Sequence, residues 1–263
     1  MITLPRSAIL IAACAICAFL AGCGGSSIKP PSDPVGKPLM PDLAPAPPRQ
    51  VHMTRTNGHW VMSFDSSMVN VGRGPFVLRA ERKDGEWHVI QDVMYSTSGG
   101  RSIPLRASMV WGGDAHDHWH IARVAINHLV PVRAGTRPVL ERGLVDSKVG
   151  FCFYDYHHVL PFGPATKTYS RHGCGHKDAK VIRMGLSPGW VDTYPWVLPG
   201  QSVDVTKLKD GLYRLWAVID ERGWFREASS KNDITWADIR LSSRRGLRFA
   251  EVTDVGPVPR PTS

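Results

Sequence analysis

Three of the chain's 11 histidines fall within five residues, in the run Ala115-His116-Asp117-His118-Trp119-His120. At this abundance a His-x-His-x-His run arises by chance in roughly 2% of such chains, so the run carries information. On an extended strand, residues i, i+2 and i+4 project from one face at intervals of about 6.8 Å. A slight bend or bulge then lets three imidazoles converge on one ion. Imidazole-only donor sets suit Zn(II) and Cu(II), and tetragonal nitrogen coordination is more typical of copper. The competing reading is a polar strand face with solvated histidines. No His-Glu-x-x-His motif is present, and Val124 and Ala125 stand where a cupin would carry its Glu.

Such histidines need strands to hold them, and the flanking sequence offers strands. Trp60-Val61-Met62-Ser63-Phe64 and Phe76-Val77-Leu78-Arg79-Ala80 flank the loop-like Asn70-Val71-Gly72-Arg73-Gly74. Trp87-His88-Val89-Ile90-Gln91 follows the turn signal Lys83-Asp84-Gly85, and Tyr213 to Ile219 alternates after Lys209-Asp210-Gly211. Trp236 to Leu241 alternates too. With 25 Gly and 21 Pro interrupting every helical pattern, a bundle, a coiled coil and a multi-span membrane protein are excluded. Hydrophobic residues at 43% against 21% charged predict a soluble globule. The fold class is therefore mainly β, a β-sandwich-like single domain with long functional loops, the longest over about 142–200. A net charge of +9 suits anionic headgroups or cell-wall polymers. Nucleic acid is not expected, since no recognition motif accompanies the charge.

The first residues predict export. Arg6 supplies a positive start and Ala8 to Leu20 an apolar stretch too short to span as a stable anchor. It ends Leu20-Ala21-Gly22-Cys23, which looks like a bacterial lipobox with Cys23 as the lipidated residue. Cys14 and Cys17 leave with the signal peptide, 1–22, so Cys152 and Cys174 remain. An even remainder outside the cytoplasm predicts one disulfide, closing a loop worth about 3 kcal/mol. Residues 23–50 read as the lipidated Cys and a Pro-rich tether, 51–252 as the domain, and 253–263 as a flexible tail. The localisation expected is the bacterial cell envelope, through a lipid anchor.

Beyond the histidine run, ordered blocks carry a resemblance. Trp111 to His120, Lys148-Val149-Gly150-Phe151-Cys152, Gly189-Trp190-Val191-Asp192-Thr193-Tyr194, Leu198 to Thr206, Asp210-Gly211-Leu212-Tyr213 and Glu227 to Asp233 follow one another as in the lysyl oxidase family. The chain resembles that family over roughly 60–241. The resemblance implies that His116, His118 and His120 bind one copper ion. It implies that Lys148 and Tyr194 are cross-linked into lysine tyrosylquinone, the self-derived redox cofactor. The implied activity is oxidative deamination of primary amines, peptidyl lysine or small amines, to aldehydes, with O₂ consumed and hydrogen peroxide and ammonia released. The alternative is a non-catalytic copper-binding surface lipoprotein in which Lys148 and Tyr194 are never joined.

The sequence also departs from the family. The animal enzymes have a further His seven residues after the last ligand, where this chain has Asn127, with His128 one place on. His128 is thus one candidate for the catalytic base, with Asp117 and a copper-bound hydroxide as rivals. The extra disulfides of the animal domain are missing. His157, His158, His172 and His176 cluster in sequence near Cys174 without a family counterpart, as a secondary metal site or as solvated loop histidines.

Overall fold

Alternating apolar and polar residues make the chain almost entirely antiparallel sheet. The structure is a computed structural model that describes residues 32–112, 116–133, 143–145 and 150–261. The segment expected as a signal peptide, 1–22, Cys23 and the first part of the expected tether lie outside the described residues. In chain order the strands are β1 (Pro38–Leu39), β2 (Leu43–Pro45), β3 (Arg49–Thr56), β4 (His59–Asn70), β5 (Phe76–Lys83) and β6 (Glu86–Tyr95). There follow β7 (Gly100–Pro104), β8 (Met109–Trp111), β9 (Trp119–Ala122), β10 (Ala125–Pro131), β11 (Leu144–Val145), β12 (Gly150–Phe151) and β13 (His157–His158). The last are β14 (Val181–Leu186), β15 (Trp190–Tyr194), β16 (Ser202–Asp204), β17 (Gly211–Ile219), β18 (Ile234–Arg244) and β19 (Leu247–Val255). Among the described residues the one named helical element is a 3-10 turn, Arg171–Cys174.

These strands form four sheets, which bear out the mainly β, sandwich-like reading. One runs β1-β6-β5-β14 with β7 on β6, and a second runs β13-β15-β4-β16 with β2 and β3 also on β4. A third runs β11-β10-β17-β18-β19, and the small fourth, β12-β9-β8, carries His120. The turn foreseen at Lys83-Asp84-Gly85 joins β5 to β6, with φ of 51° at Asp84 and 86° at Gly85. Met62 and Phe64 of β4 face Leu129 of β10, Leu215 of β17 and Ile239 of β18 across one core. Alternate residues of β17, Tyr213 and Leu215, point into it while Arg214 and Trp216 are less buried. The other core gathers Phe76, Leu78, Ile121, Phe151, Phe153, Ile182, Met184, Trp190 and Tyr194 around the disulfide. A buried Phe at such a position contributes roughly 1.5–3 kcal/mol.

Three boundaries differ from expectation. The tether predicted over 23–50 docks on the domain in its second half: β2 pairs with β4, and both Asp42 and Leu43 are fully buried. Proline density does not oppose this, because an extended backbone lacking one donor suits a short edge pairing. Asn70 clasps the segment, accepting from the Asp42 and Gly72 amides and donating to the Gly74 and Leu186 carbonyls. The tail expected to be flexible from 253 is held further on. Gly256 N donates to Trp236 O at 2.8 Å, and Thr235 Oγ1 donates to Pro257 O at 2.7 Å. The middle region expected as loop contains β14 and β15, paired along β5 and β4. The loop between them and β12 is fastened by buried Asp155, which accepts from the amides of Thr168, Tyr169 and Ser187 and from the Ser187 hydroxyl.

Where β2 docks, carboxyl groups crowd together. Glu227 Oε2 accepts from the Leu43 amide, and Asn232 Nδ2 donates to Asp42 Oδ1. The Glu227 carboxyl is pushed up to about 9: burial is the main cause, the Leu43 amide opposes it, and Asp233, Asp220 and Asp42 add to it. Burial, then Asp220 and Asp42, push Asp233 up to about 7. A carboxyl raised in the folded state stabilises fully below its unfolded value, about 4.3 for Glu, and loses that contribution as pH rises through the folded value. Glu227→Gln should therefore gain melting temperature relative to wild type as pH goes from 5 to 9, measured by thermal denaturation in chelator so that no cation neutralises the carboxylates. Parallel curves for the two proteins would count against this assignment.

Candidate metal centre

The three histidines are brought together by a turn that feeds a strand. β8 and β9 form a hairpin pairing Met109 with Ile121, Val110 with His120 and Trp111 with Trp119. His120 alone of the three lies on β9; His116 and His118 sit on the approach to it. His118 N donates to His116 O at 2.6 Å, and Gly112 N donates to His118 O at 3.0 Å. This contraction replaces the wide spacing of an extended strand and puts the ring centroids 5.7 Å (His116–His118), 5.3 Å (His116–His120) and 4.5 Å (His118–His120) apart. Asp117 points to solvent while all three histidines are at most 7% exposed.

Two glycines make the room. A Cβ on Gly112 would lie 2.6 Å from both His116 O and His120 Cε1. A Cβ on Gly150 would lie 2.9 Å from His120 Cβ and collide with Ile121 O. Gly150 can therefore pair flat against Ala122 and bring Phe151 opposite Ile121. The outer face of the hairpin is aromatic. Trp119 meets Trp87 and Trp111 at 5.0 and 5.5 Å, and its Nε1 donates to His176 O.

One potential ligand nitrogen from each histidine lies within 4.8 Å of the others, a spacing able to hold a metal ion. Nitrogen ligands at about 2.0–2.1 Å from an ion are at most about 4.2 Å apart. The three donors can hold one such ion after a modest contraction of the triad. Among the described residues this is the one His, Cys, Asp or Glu grouping with metal-holding spacing.

Tyr194 stands beside the triad. Its ring is stacked on His116 at 5.8 Å with an interplanar angle of 6°, lies 6.0 Å from His120, and touches Phe151 at 4.3 Å. Its hydroxyl accepts from Cys152 N at 2.9 Å and donates to Cys152 O at 3.4 Å. Burial pushes this hydroxyl well above its ordinary range, and the charge of Asp192 adds to the effect. Burial and then Asp192 push Tyr154 up to about 12. Asp192 is fully buried and shares Tyr194's face of β15. In the sequence, the only signal for Asp192 is its i, i+2 spacing from Tyr194. Cys152 is disulfide-bonded to Cys174, as expected, with Cα atoms 5.9 Å apart. The bond ties the strand beside the triad to the 3-10 turn.

A cleft of about 470 Å³ opens next to His118, lined by Asp117, Arg171, His172, Gly175 and His176. The remaining expected residues distribute as follows. Lys148 lies outside the described residues, as does Cys23; the chain is described again from Gly150. His128 sits half-buried on β10, opposite Val145 and Trp216, with its imidazole pushed down by burial against the pull of Glu221. Among the described residues no ring contact joins it to the triad or to Tyr194. The four histidines around Cys174 separate. His172 and His176 line the cleft, whereas exposed His157 and His158 pair with β15, His158 stacking on Trp190 at 5.2 Å. No family model matches the chain, and no curated protein matches it.

If the turn and its glycine set the donor spacing, His118→Ala should lose stoichiometric metal. Gly112→Ala should weaken retention about tenfold or more, the scale of a disturbed ligand orientation. Metal content after dialysis against graded chelator measures both. Wild-type retention by Gly112→Ala would break the link between that close approach and the site.

Proposed function

We propose that the chain is a copper-dependent oxidase of primary amines, lipid-anchored at the bacterial cell envelope and of the lysyl oxidase type. The observation that carries this reading is Tyr194, enclosed and stacked on a histidine of a three-imidazole cluster. Three neutral nitrogen donors suit copper, and His116, His118 and His120 would hold it. Lys148 would join Tyr194 as lysine tyrosylquinone. When bound, copper and the quinone supply redox chemistry that takes electrons from an amine and passes them to O₂, giving an aldehyde, ammonia and hydrogen peroxide.

The chain's own residues have definable tasks. The Cys152 backbone fixes the Tyr194 hydroxyl in place and, with it, the ring's orientation toward His116. Phe151 packs on the ring and, fully buried itself, excludes water from that side. Gly150, the first described residue after Lys148 in sequence, lies against His120. Asp192, fully buried and on the same face of β15 as Tyr194, adds a carboxylate to the surroundings of that phenol. The disulfide supports an oxidising compartment, in keeping with the lipobox-like Leu20-Ala21-Gly22-Cys23.

The decisive experiment combines peroxide release from a primary amine by copper-loaded protein with peptide mapping of a Lys148–Tyr194 cross-link. Tyr194→Phe should keep copper, because the imidazoles are intact, yet lack quinone absorbance and amine-dependent peroxide. An inactive wild type with an unmodified Tyr194, after copper and O₂ are supplied, would favour a copper-binding lipoprotein without catalysis. For the anchor, Cys23→Ser should abolish membrane association or block maturation, read by fractionation and mass spectrometry of the N-terminus. Unchanged association would remove the lipid anchor from the proposal.

A further inference from the structure

The cleft beside His118 has a wall whose charge does not suit a simple alkylammonium ion. Among its lining residues, Arg171 is the one permanent cation and Asp117 the one carboxylate, with His172 and His176 adding imidazoles. Arg171 and His172 both belong to the 3-10 turn that ends at Cys174. The disulfide fastens that turn to Cys152, and the Cys152 backbone holds the Tyr194 hydroxyl. The anchorage of Arg171 is thus fixed with respect to the candidate centre. Its charge also reaches inward, acting on both Tyr194 and Tyr154 in the direction opposite to burial. Arg79 and Arg214 are committed to carboxylate partners, Asp92 and Asp238. Arg171, exposed on the wall of the cleft, has no carboxylate within ion-pair distance among the described residues, which leaves its guanidinium open to a ligand's anion.

We infer that the cleft selects primary amines that also carry a carboxylate, with Arg171 binding the carboxylate while the amine points toward the triad and Tyr194. This rests on the amine-oxidase reading and names its substrate class. The guanidinium fork matches a carboxylate through two parallel N–H···O bonds, which fixes orientation as well as charge. The carboxylate also offsets the repulsion that an ammonium group would meet from Arg171. Two sources share this chemistry: a free ω-amino acid, and a lysine beside an acidic residue in a peptide.

Two arms test the inference. In the first, the metal-free full chain is titrated calorimetrically with acetyl-Glu-Lys-amide and with acetyl-Gln-Lys-amide, which differ only in the charge of one side chain. Wild type should bind the acidic peptide roughly three- to fivefold more tightly, the scale of an ion pair at a partly exposed site. Arg171→Gln should bring that ratio to unity, and Arg171→Lys should restore part of it. In the second arm, copper-loaded protein is assayed for peroxide with 6-aminohexanoate and its neutral isostere 6-aminohexanamide. The carboxylate should raise kcat/KM by a similar factor in wild type, with the ratio lost in Arg171→Gln. A preference confined to the free amino acid or to the peptide would identify the source. Turnover of 6-aminohexanamide with no carboxylate preference in either arm would overturn the anion site and leave the oxidase intact. Carboxylate-selective binding lost in Arg171→Gln, with no peroxide from any amine, would uphold the anion site and overturn the oxidase reading.

Discussion

A phenol cut off from water has to find its hydrogen bonds inside the protein, and Tyr194 finds both on the backbone of Cys152. Leaving such a hydroxyl unsatisfied would cost roughly 1–3 kcal/mol, so the contact is strongly enforced. Tyr194 ends β15, which is built on β4, whereas Cys152 continues β12, which is built on β9 beside His120. One side-chain contact therefore registers the large sheet against the small one that carries the candidate ligand. The Cys152 side chain extends the same join to the 3-10 turn at Cys174. Three segments meet at one residue, and the 3-10 turn among them carries Arg171 and His172 into the lining of the cleft.

The triad obeys a second constraint, that of spacing. A regular strand holds i and i+2 side chains about 6.8 Å apart, wider than one ion bridges. The chain meets this by ending the strand at Trp119 and tightening the approach through the His118–His116 backbone bond. The tightening places the backbone of residue 112 against His116 and His120, which only a residue without a side chain tolerates. Strand pairing on both sides of β9, by β8 and by β12, gives the last histidine a rigid seat. The tryptophans on the outer face keep that hairpin packed without approaching the imidazoles from the inside.

What the sequence made legible, and what it hid, follows from how local each signal is. The strands around Trp60, Phe76, Trp87, Tyr213 and Trp236 alternate within themselves, and all five lie in strands. The histidine run was legible because three ligands sit within five residues. β14 and β15 were hidden because Gly, Pro and His crowd their flanks, and their burial comes from partners more than a hundred residues earlier. β2 was hidden for the same reason: three residues of a Pro-rich stretch become buried only because Asn70 and β4 receive them. Asp192 and Arg171 had no local signature either. Each matters through what it faces, Tyr194 for the one and the cleft for the other, and those neighbours are created by the fold.

The charge of the chain, +9 at pH 7, bears on the proposed handling of amines, since an ammonium ion would approach against the mean field. Surface lysines act weakly at a distance, because salt screens exposed charges beyond roughly 8–10 Å. The charges nearest the candidate centre are those that line the cleft. There Arg171 and Asp117 stand on opposite sides of the charge balance, with His118 opening on the same space. A zwitterionic ligand, cationic at one end and anionic at the other, satisfies both charges and carries no net charge through the outer field. A simple cation satisfies only Asp117, which is exposed, whereas Asp192 is fully buried. The same disulfide-bonded turn that closes the site thereby sets the sign of what can enter it.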